Sequence, residues 1–325
     1  DVLINNKVEM YNGDSKDANQ PIHQVIFKKN NGSVNFNDKL ISWTIRLNDD
    51  NKPMTNVVIT DTFAKSQGLT FLPGTLKIGT LKEGAGEDYT IAPNPTYDEG
   101  FIIEFKKPIS SSQVISYQTK FDPKIKGITE YKNTAKLNWD DNEKTDQELI
   151  KVGSAYPDNY TLENGNKTGK YNAETKEITW KIDVNYNFHV IPKAVIQDSW
   201  NPDTYEQTFD KELLKVHKLV ISDHGDDNVS EGDLVNQSEY TVDYTYQGGK
   251  INGFTLTFNN QISSAYRISY KTSLEGHPVK KTYQNNAKLI AENPDGSETL
   301  FEKSATVQPR YGGEYVNKKG KQGTE

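Results

Sequence analysis

The chain has 325 residues, no cysteine, a formal net charge of −7 and 34% hydrophobic residues. That length holds two or three domains, each able to bury its own core. The missing cysteines exclude disulfides, thiolate zinc sites and thiol catalysis, and an acidic balance without a basic cluster argues against nucleic-acid or anionic-membrane surfaces. No apolar run approaches membrane-spanning length, and neither a signal peptide nor a C-terminal anchor is visible, so a mature internal fragment is expected.

Helical periodicity is nearly absent. Tyr, Phe and Trp are plentiful, and they fall in short alternating runs bounded by Asn, Asp, Gly and Pro. In chain order these are "VIFKK", "LISWTIRLN", "NVVITDTF", "FIIEF", "VISYQTKF", "NTAKLNW" and "QELIKV". The series then restarts with "EITWKIDVN", "KAVIQDSW", "FTLTF" and "YRISYKTS", and closes with "SATVQP". Short half-exposed strands with turn signals between them predict an all-β fold of sandwich type.

The two series match run for run. "KLISWTIRLN" pairs with "KEITWKIDVN", "NVVITDTF" with "KAVIQDSW", and "EYKNTAKL" (130–137) with "TYQNNAKL" (282–289). Trp43 and Asp61 stand as far apart as Trp180 and Asp198. The main length difference is an insertion in the second series that carries the acidic loop "SDHGDDNVSEGD". Preserved order with one changed loop is the mark of a duplicated domain. The reading is two tandem immunoglobulin-like, Greek-key β-sandwiches, at 1–152 and 153–310. Residues 311–325 form a linker or the start of a further repeat, because "NKKG" there echoes "NKTG" at 166–169.

The shared order is a Lys, then Ile-x-Trp-x-Ile-x-x-Asn, Ile-x-Asp-x-aromatic, Ile-Ser-Tyr-x-Thr and Tyr-x-Asn-x-Ala. It resembles the CnaA-type domain, the collagen-binding-domain repeat of Gram-positive surface adhesins, over nearly all of 23–309 and twice. The resemblance implies a variant immunoglobulin sandwich with an intramolecular isopeptide bond. In that bond a Lys on the first strand joins an Asn on the last, helped by a buried acid of the opposite sheet. Carried over by position, the Asn residues are Asn133 and Asn285, the acids Asp61 and Asp198, and the second Lys is Lys167 of "NKTG". Asn286 falls on the position of Thr134, which argues against it. In the first unit "FKKNNG" offers both Lys28 and Lys29. Alternation with Val25 and Phe27 facing inward selects Lys29 and leaves Lys28 as the alternative.

The implied chemistry needs these residue types. A Lys amine is nucleophilic only when neutral, and burial favours the neutral form. A buried carboxyl group stays protonated and donates a hydrogen bond to the Asn carboxamide oxygen, which polarises the carbonyl, with Trp43 and Trp180 as a dry wall. Taken singly, each residue has a plainer role: Asp61 and Asp198 as turn residues with Thr62 and Ser199, the Asn residues as backbone partners, the Lys residues as solvated charges. The same triplet in the same order twice favours crosslinking.

Other constellations are weaker. His23, His189, His217, His224 and His277 lack zinc-ligand spacing. Asp223, Asp226, Asp227, Glu231 and Asp233 lack the EF-hand pattern, and a solvated loop is the better account than calcium. The exposed Tyr side chains of "EYTVDYTYQGG" fit cross-strand packing more readily than a binding face. No cofactor, metal, nucleic acid or membrane insertion is expected, and the fragment should be monomeric. The resemblance implies a cell-surface adhesin, held to the cell wall through a region outside this chain, that binds a host matrix protein such as collagen. A load-bearing stalk is the alternative and a carbohydrate-binding or carbohydrate-active sandwich the third. No enzymatic turnover is expected, only one bond-forming event per domain.

Overall fold

The structure, a computed structural model, describes residues 2–22, 26–140, 149–222 and 229–309. The chain divides into two compact units, Asp1–Pro157 and Asp158–Glu325. The first holds β1 (Val2–Glu9), β2 (Ser15–Ile22), β3 (Phe27–Lys29), β4 (Ser33–Asn35), β5 (Leu40–Leu47), β6 (Val58–Thr62) and β7 (Leu69–Phe71). It continues with β8 (Lys77–Ile78), β9 (Tyr89–Pro93), β10 (Gly100–Phe105), β11 (Gln113–Phe121), β12 (Tyr131–Asn138) and β13 (Ile150–Ala155). The second opens on a single helical turn, α1 (Asn159–Glu163), followed by β14 (Gly165–Asn172), β15 (Glu177–Val184), β16 (Lys193–Ser199), β17 (Thr208–Ile221) and β18 (Val229–Leu234). It ends with β19 (Tyr240–Gln247), β20 (Lys250–Phe258), β21 (Tyr266–Ser273), β22 (Tyr283–Asn293) and β23 (Gly296–Val307).

Apart from the β1–β2 hairpin, unit one is two antiparallel sheets in the orders β13-β12-β6-β10-β9 and β3-β5-β11-β7. Unit two repeats them as β23-β22-β16-β20-β19 and β14-β15-β21-β17, with β18 added outside β17. Both units are immunoglobulin-like sandwiches, and the sequence matches fall on strands that hold the same places in the two sheet orders. The added strand comes from the second unit's insertion, in which Asp223, Asp226 and Asp227 lie outside the described residues, as does the 311–325 tail.

Strand alternation builds the cores directly. On β5, Ile41, Trp43, Ile45 and Leu47 are buried while Ser42 and Arg46 are exposed. β15 does the same with Ile178, Trp180 and Ile182. Each such aliphatic side chain removed from water contributes roughly 1.5–3 kcal/mol before chain entropy is counted. Each strand is followed at once by an Asn in the left-handed region, Asn48 at φ 61° and Asn185 at φ 58°. The side chain of each bonds the backbone N–H and carbonyl four residues on, at Lys52 and His189, and so closes the turn that follows.

Two expectations change. Gly153 lies inside β13, which pairs with β12 through Ala155, so the units meet at Pro157/Asp158 rather than Val152/Gly153. Residues 153–155 continue the edge strand, and beyond it Asp158 caps α1 by accepting from the Thr161 N–H. The Asn-bearing strands β12 and β22 are next to last, because β13 and β23 follow and pair with them.

Candidate functional site between the sheets

The Tyr-x-Asn-x-Ala-x-Leu motif is a strand whose every second residue faces the core. Tyr131, Asn133, Ala135 and Leu137 are buried on β12, as are Tyr283, Asn285, Ala287 and Leu289 on β22. The repeat therefore preserves one inward face. Its Ala sits directly across from the acid: Ala135 pairs with Asp61 and Ala287 with Asp198. On the acid's other side stand Phe101 and Phe254. A small residue on one flank and an aromatic one on the other leave the carboxyl group room to turn toward the opposite sheet.

That opposite sheet presents the amine. On β3, Phe27 and Lys29 point inward and Lys28 points out, so the lysine inside unit one is Lys29; Val25 lies outside the described residues. Lys29 is only 6% exposed and Lys167, on β14, only 3%. Asn285 is buried, whereas Asn286 is exposed and bonded to Ser304. The structure thus brings together Lys29, Asp61 and Asn133 in one unit and Lys167, Asp198 and Asn285 in the other.

In unit one the Lys29 Nζ lies 2.6 Å from Asp61 Oδ2 and also touches the Tyr117 hydroxyl. The Tyr117 hydroxyl donates to Asp61 Oδ2 at 2.6 Å and accepts from Asn133 Nδ2 at 3.1 Å. In unit two Lys167 Nζ bonds Asp198 Oδ2, the Tyr270 hydroxyl donates to Asp198 Oδ1 at 2.6 Å, and Asn285 Nδ2 donates to that hydroxyl at 2.5 Å. Trp43 and Trp180 roof the amines, with ring centroids 5.5 Å from the respective Nζ. Each indole N–H is satisfied by a threonine two residues beyond the tyrosine, Thr119 or Thr272.

Electrostatics follow from burial. Loss of water lowers the Lys29 and Lys167 amines below the ordinary lysine value, against the pull of the neighbouring aspartate. The same loss raises the Asp61 carboxyl above its ordinary value. In unit one both directions favour a neutral amine beside a neutral acid over an ion pair. Burial, then the adjoining acid, holds Tyr117 and Tyr270 well above the ordinary phenol value, so both remain protonated.

Chemically each cluster holds an amine, a carboxyl group, a phenol and a carboxamide in a buried space between the sheets, and burial favours the neutral amine. One feature differs from expectation: the amide nitrogen, not its oxygen, faces the tyrosine and acid, and Oδ1 of both Asn133 and Asn285 is buried without a partner. Sequence reasoning also passed over Tyr117 and Tyr270 as site residues. Their signal was present in "ISYQT" and "ISYKT", where Tyr and Thr recur two apart and so share a face. Two repeated glycines escaped notice too. A Cβ at Gly100 would stand 2.0 Å from the Asp61 carbonyl oxygen, and at Gly253 2.2 Å from that of Asp198. Among the described residues no group of His, Asp and Glu is arranged to hold a metal ion.

Fold and site together define a tandem of immunoglobulin-like sandwiches, each with a lysine, an acid and an asparagine sealed between its sheets. The chain belongs to the collagen-binding-domain family, whose description, "Collagen binding domain", matches residues 23–148 and 162–299. Among solved structures it is similar to the collagen-binding subdomain of the Enterococcus faecalis surface protein ACE, with 16% identity over 48% of this chain and 99% of that one, at a TM-score of 0.33. The collagen adhesin CNA from Staphylococcus aureus matches at 13% identity over 87% of this chain and 93% of that one, at a TM-score of 0.30. The collagen binding domain of the Erysipelothrix rhusiopathiae surface protein RspB matches at 12% identity, covering 88% and 98%, at a TM-score of 0.31. A search of curated proteins by sequence found no match.

Proposed function

We propose that this chain is a pair of cell-surface adhesin domains of a Gram-positive bacterium, each locked by a self-formed isopeptide bond, Lys29–Asn133 in the first and Lys167–Asn285 in the second. The observation that carries the reading is the same buried Lys–Asp–Tyr–Asn cluster in both units. The neutral Lys amine attacks Cγ of the Asn carboxamide, a C–N bond forms, the Cγ–Nδ2 bond breaks and ammonia departs. One proton passes from the amine to the departing amide nitrogen by way of the acid, which ends as it began. Water is excluded and hydrogen bonds through the acid and the tyrosine tether the groups, which replaces an external catalyst by proximity. The event happens once per domain and is not turnover. Intact mass tests it: the chain should be lighter than its sequence by two ammonia molecules, and a full-sequence mass would refute it.

The bonds fit a protein that works under load outside the cell, where a chain without cysteine has no disulfide to staple its sandwiches. Family membership makes a host matrix protein the ligand to test first, with collagen at the head of the panel. Saturable solid-phase binding of the two-unit fragment to one matrix protein supports adhesion through these domains. Silence across collagen, fibronectin, fibrinogen and laminin would instead assign them to a load-bearing stalk.

A further inference from the structure

In both units a tyrosine hydroxyl stands between the acid and the nitrogen that must leave. Tyr117 reaches its place from β11, directly across from Trp43 on β5, and Tyr270 from β21, across from Trp180 on β15. Each ring is held edge-on by the aromatic residue beside the acid. Tyr117 and Phe101 lie 4.9 Å apart at 77°, and Tyr270 and Phe254 5.3 Å apart at 87°. Both tyrosines are fully buried, so no water competes for the hydroxyl. A buried hydroxyl needs partners, and in both sandwiches this one takes the same two, the acid and the amide.

We infer that Tyr117 and Tyr270 are catalytic residues of the crosslinking reaction that deliver the last proton to the departing ammonia. The inference rests on the isopeptide reading above. Forming the bond requires one proton to travel from the attacking Lys nitrogen to the Asn Nδ2, and in unit two Asp198 meets Lys167 with one oxygen and Tyr270 with the other. The unreacted amide nitrogen is planar and non-basic, so it donates to the phenol oxygen, as observed. Attack by the amine turns that nitrogen pyramidal and gives it a lone pair. The hydrogen bond then reverses: the phenol O–H protonates Nδ2, the carboxyl proton refills the phenol, and the carboxylate takes a proton from the new Cγ–Nζ linkage. Ammonia leaves, and both acid and tyrosine are restored. A phenol kept protonated by burial suits this relay, because it passes a proton without having to ionise.

The full chain made by cell-free synthesis tests this. Samples are quenched in denaturant at intervals and digested, and the branched peptide of each unit is quantified, so unit one serves as an internal clock for unit two. Tyr270→Phe keeps the ring and removes the hydroxyl. It should slow the Lys167–Asn285 bond by about 100-fold, the range of a lost general acid–base group, and leave Lys29–Asn133 unchanged. Tyr117→Phe should give the mirror image, which keeps the question open to refutation if either variant folds poorly. Folding is read separately by comparing Lys167→Met with Lys167→Met/Tyr270→Phe, neither of which forms the second bond; their unit-two melting should be cooperative and close. A wild type with both branched peptides, together with both Phe variants closing at the wild-type pace, would overturn the tyrosine role alone. A wild type with neither peptide would overturn the crosslinking reading on which it stands.

Discussion

Replacing Lys167 by Met removes the second amine while keeping most of its apolar stem against Trp180. Without the amine no bond to Asn285 forms, and Asp198 keeps Tyr270 as a hydrogen-bond donor. What is lost is the covalent closure of a loop on the order of 100 residues. By analogy with a disulfide, that closure restricts the unfolded chain by roughly 4–5 kcal/mol. For a unit of this size 1 kcal/mol moves the midpoint by about 2–4 °C, so unit two should melt about 10–20 °C earlier. The core of unit two, from Ile178 and Trp180 through Leu289 and Val307, is made of its own residues, so the unit should still fold. Differential scanning calorimetry of wild type and Lys167→Met reads this directly, with the unit-one transition as the reference. If the unit-two transition stays where it was, Lys167 contributes no closure and the reasoning fails.

Asp61→Asn should abolish the first crosslink and leave a buried Lys29 without a charge partner. Burial already lowers that amine, and losing Asp61 removes the two influences that raised it. The folded state then binds fewer protons than the unfolded state below the ordinary lysine value of 10.5, so unit one should gain stability as the pH rises toward 10.5 and lose it as the pH falls. Urea denaturation across neutral to alkaline pH checks the slope; a flat or falling profile would contradict a neutral buried lysine. Limited proteolysis should cut first beside the exposed Tyr156, because β13 holds the chain through Ala155 and the capped, partly buried α1 holds it from Asp158. Early cleavage within Asp158–Glu163 would show that α1 is not anchored on unit two, where Tyr160 bonds Asp183 and Tyr186 bonds Asp158.

The sequence carried more of the core than of its boundaries. Period-two alternation exposed β5, β6, β10, β11 and β12 and their partners in unit two because each buries one face, and duplication checked each assignment against a second copy. The same alternation separated Lys29 from Lys28. Edges were harder to read. The alternation of "QELIKV" stops at Val152 whereas β13 runs on through residues 153–155, and α1 is too short to show a helical period. Tyr117 and Tyr270 stood within repeated motifs but looked like core aromatics. Sequence reports which side chains face inward, whereas a hydroxyl's partners depend on three other strands. Gly100 and Gly253 were silent for a similar reason, since the close approach of a neighbouring strand's carbonyl leaves no periodic trace.

The central claim is that two lysines are covalently joined to two asparagines, and mass mapping of the denatured, digested chain tests it most directly. The account predicts two branched peptides, one linking the segment around Lys29 to that around Asn133 and one linking Lys167 to Asn285, each short of one ammonia. Finding all four segments as separate linear peptides of full mass would contradict it.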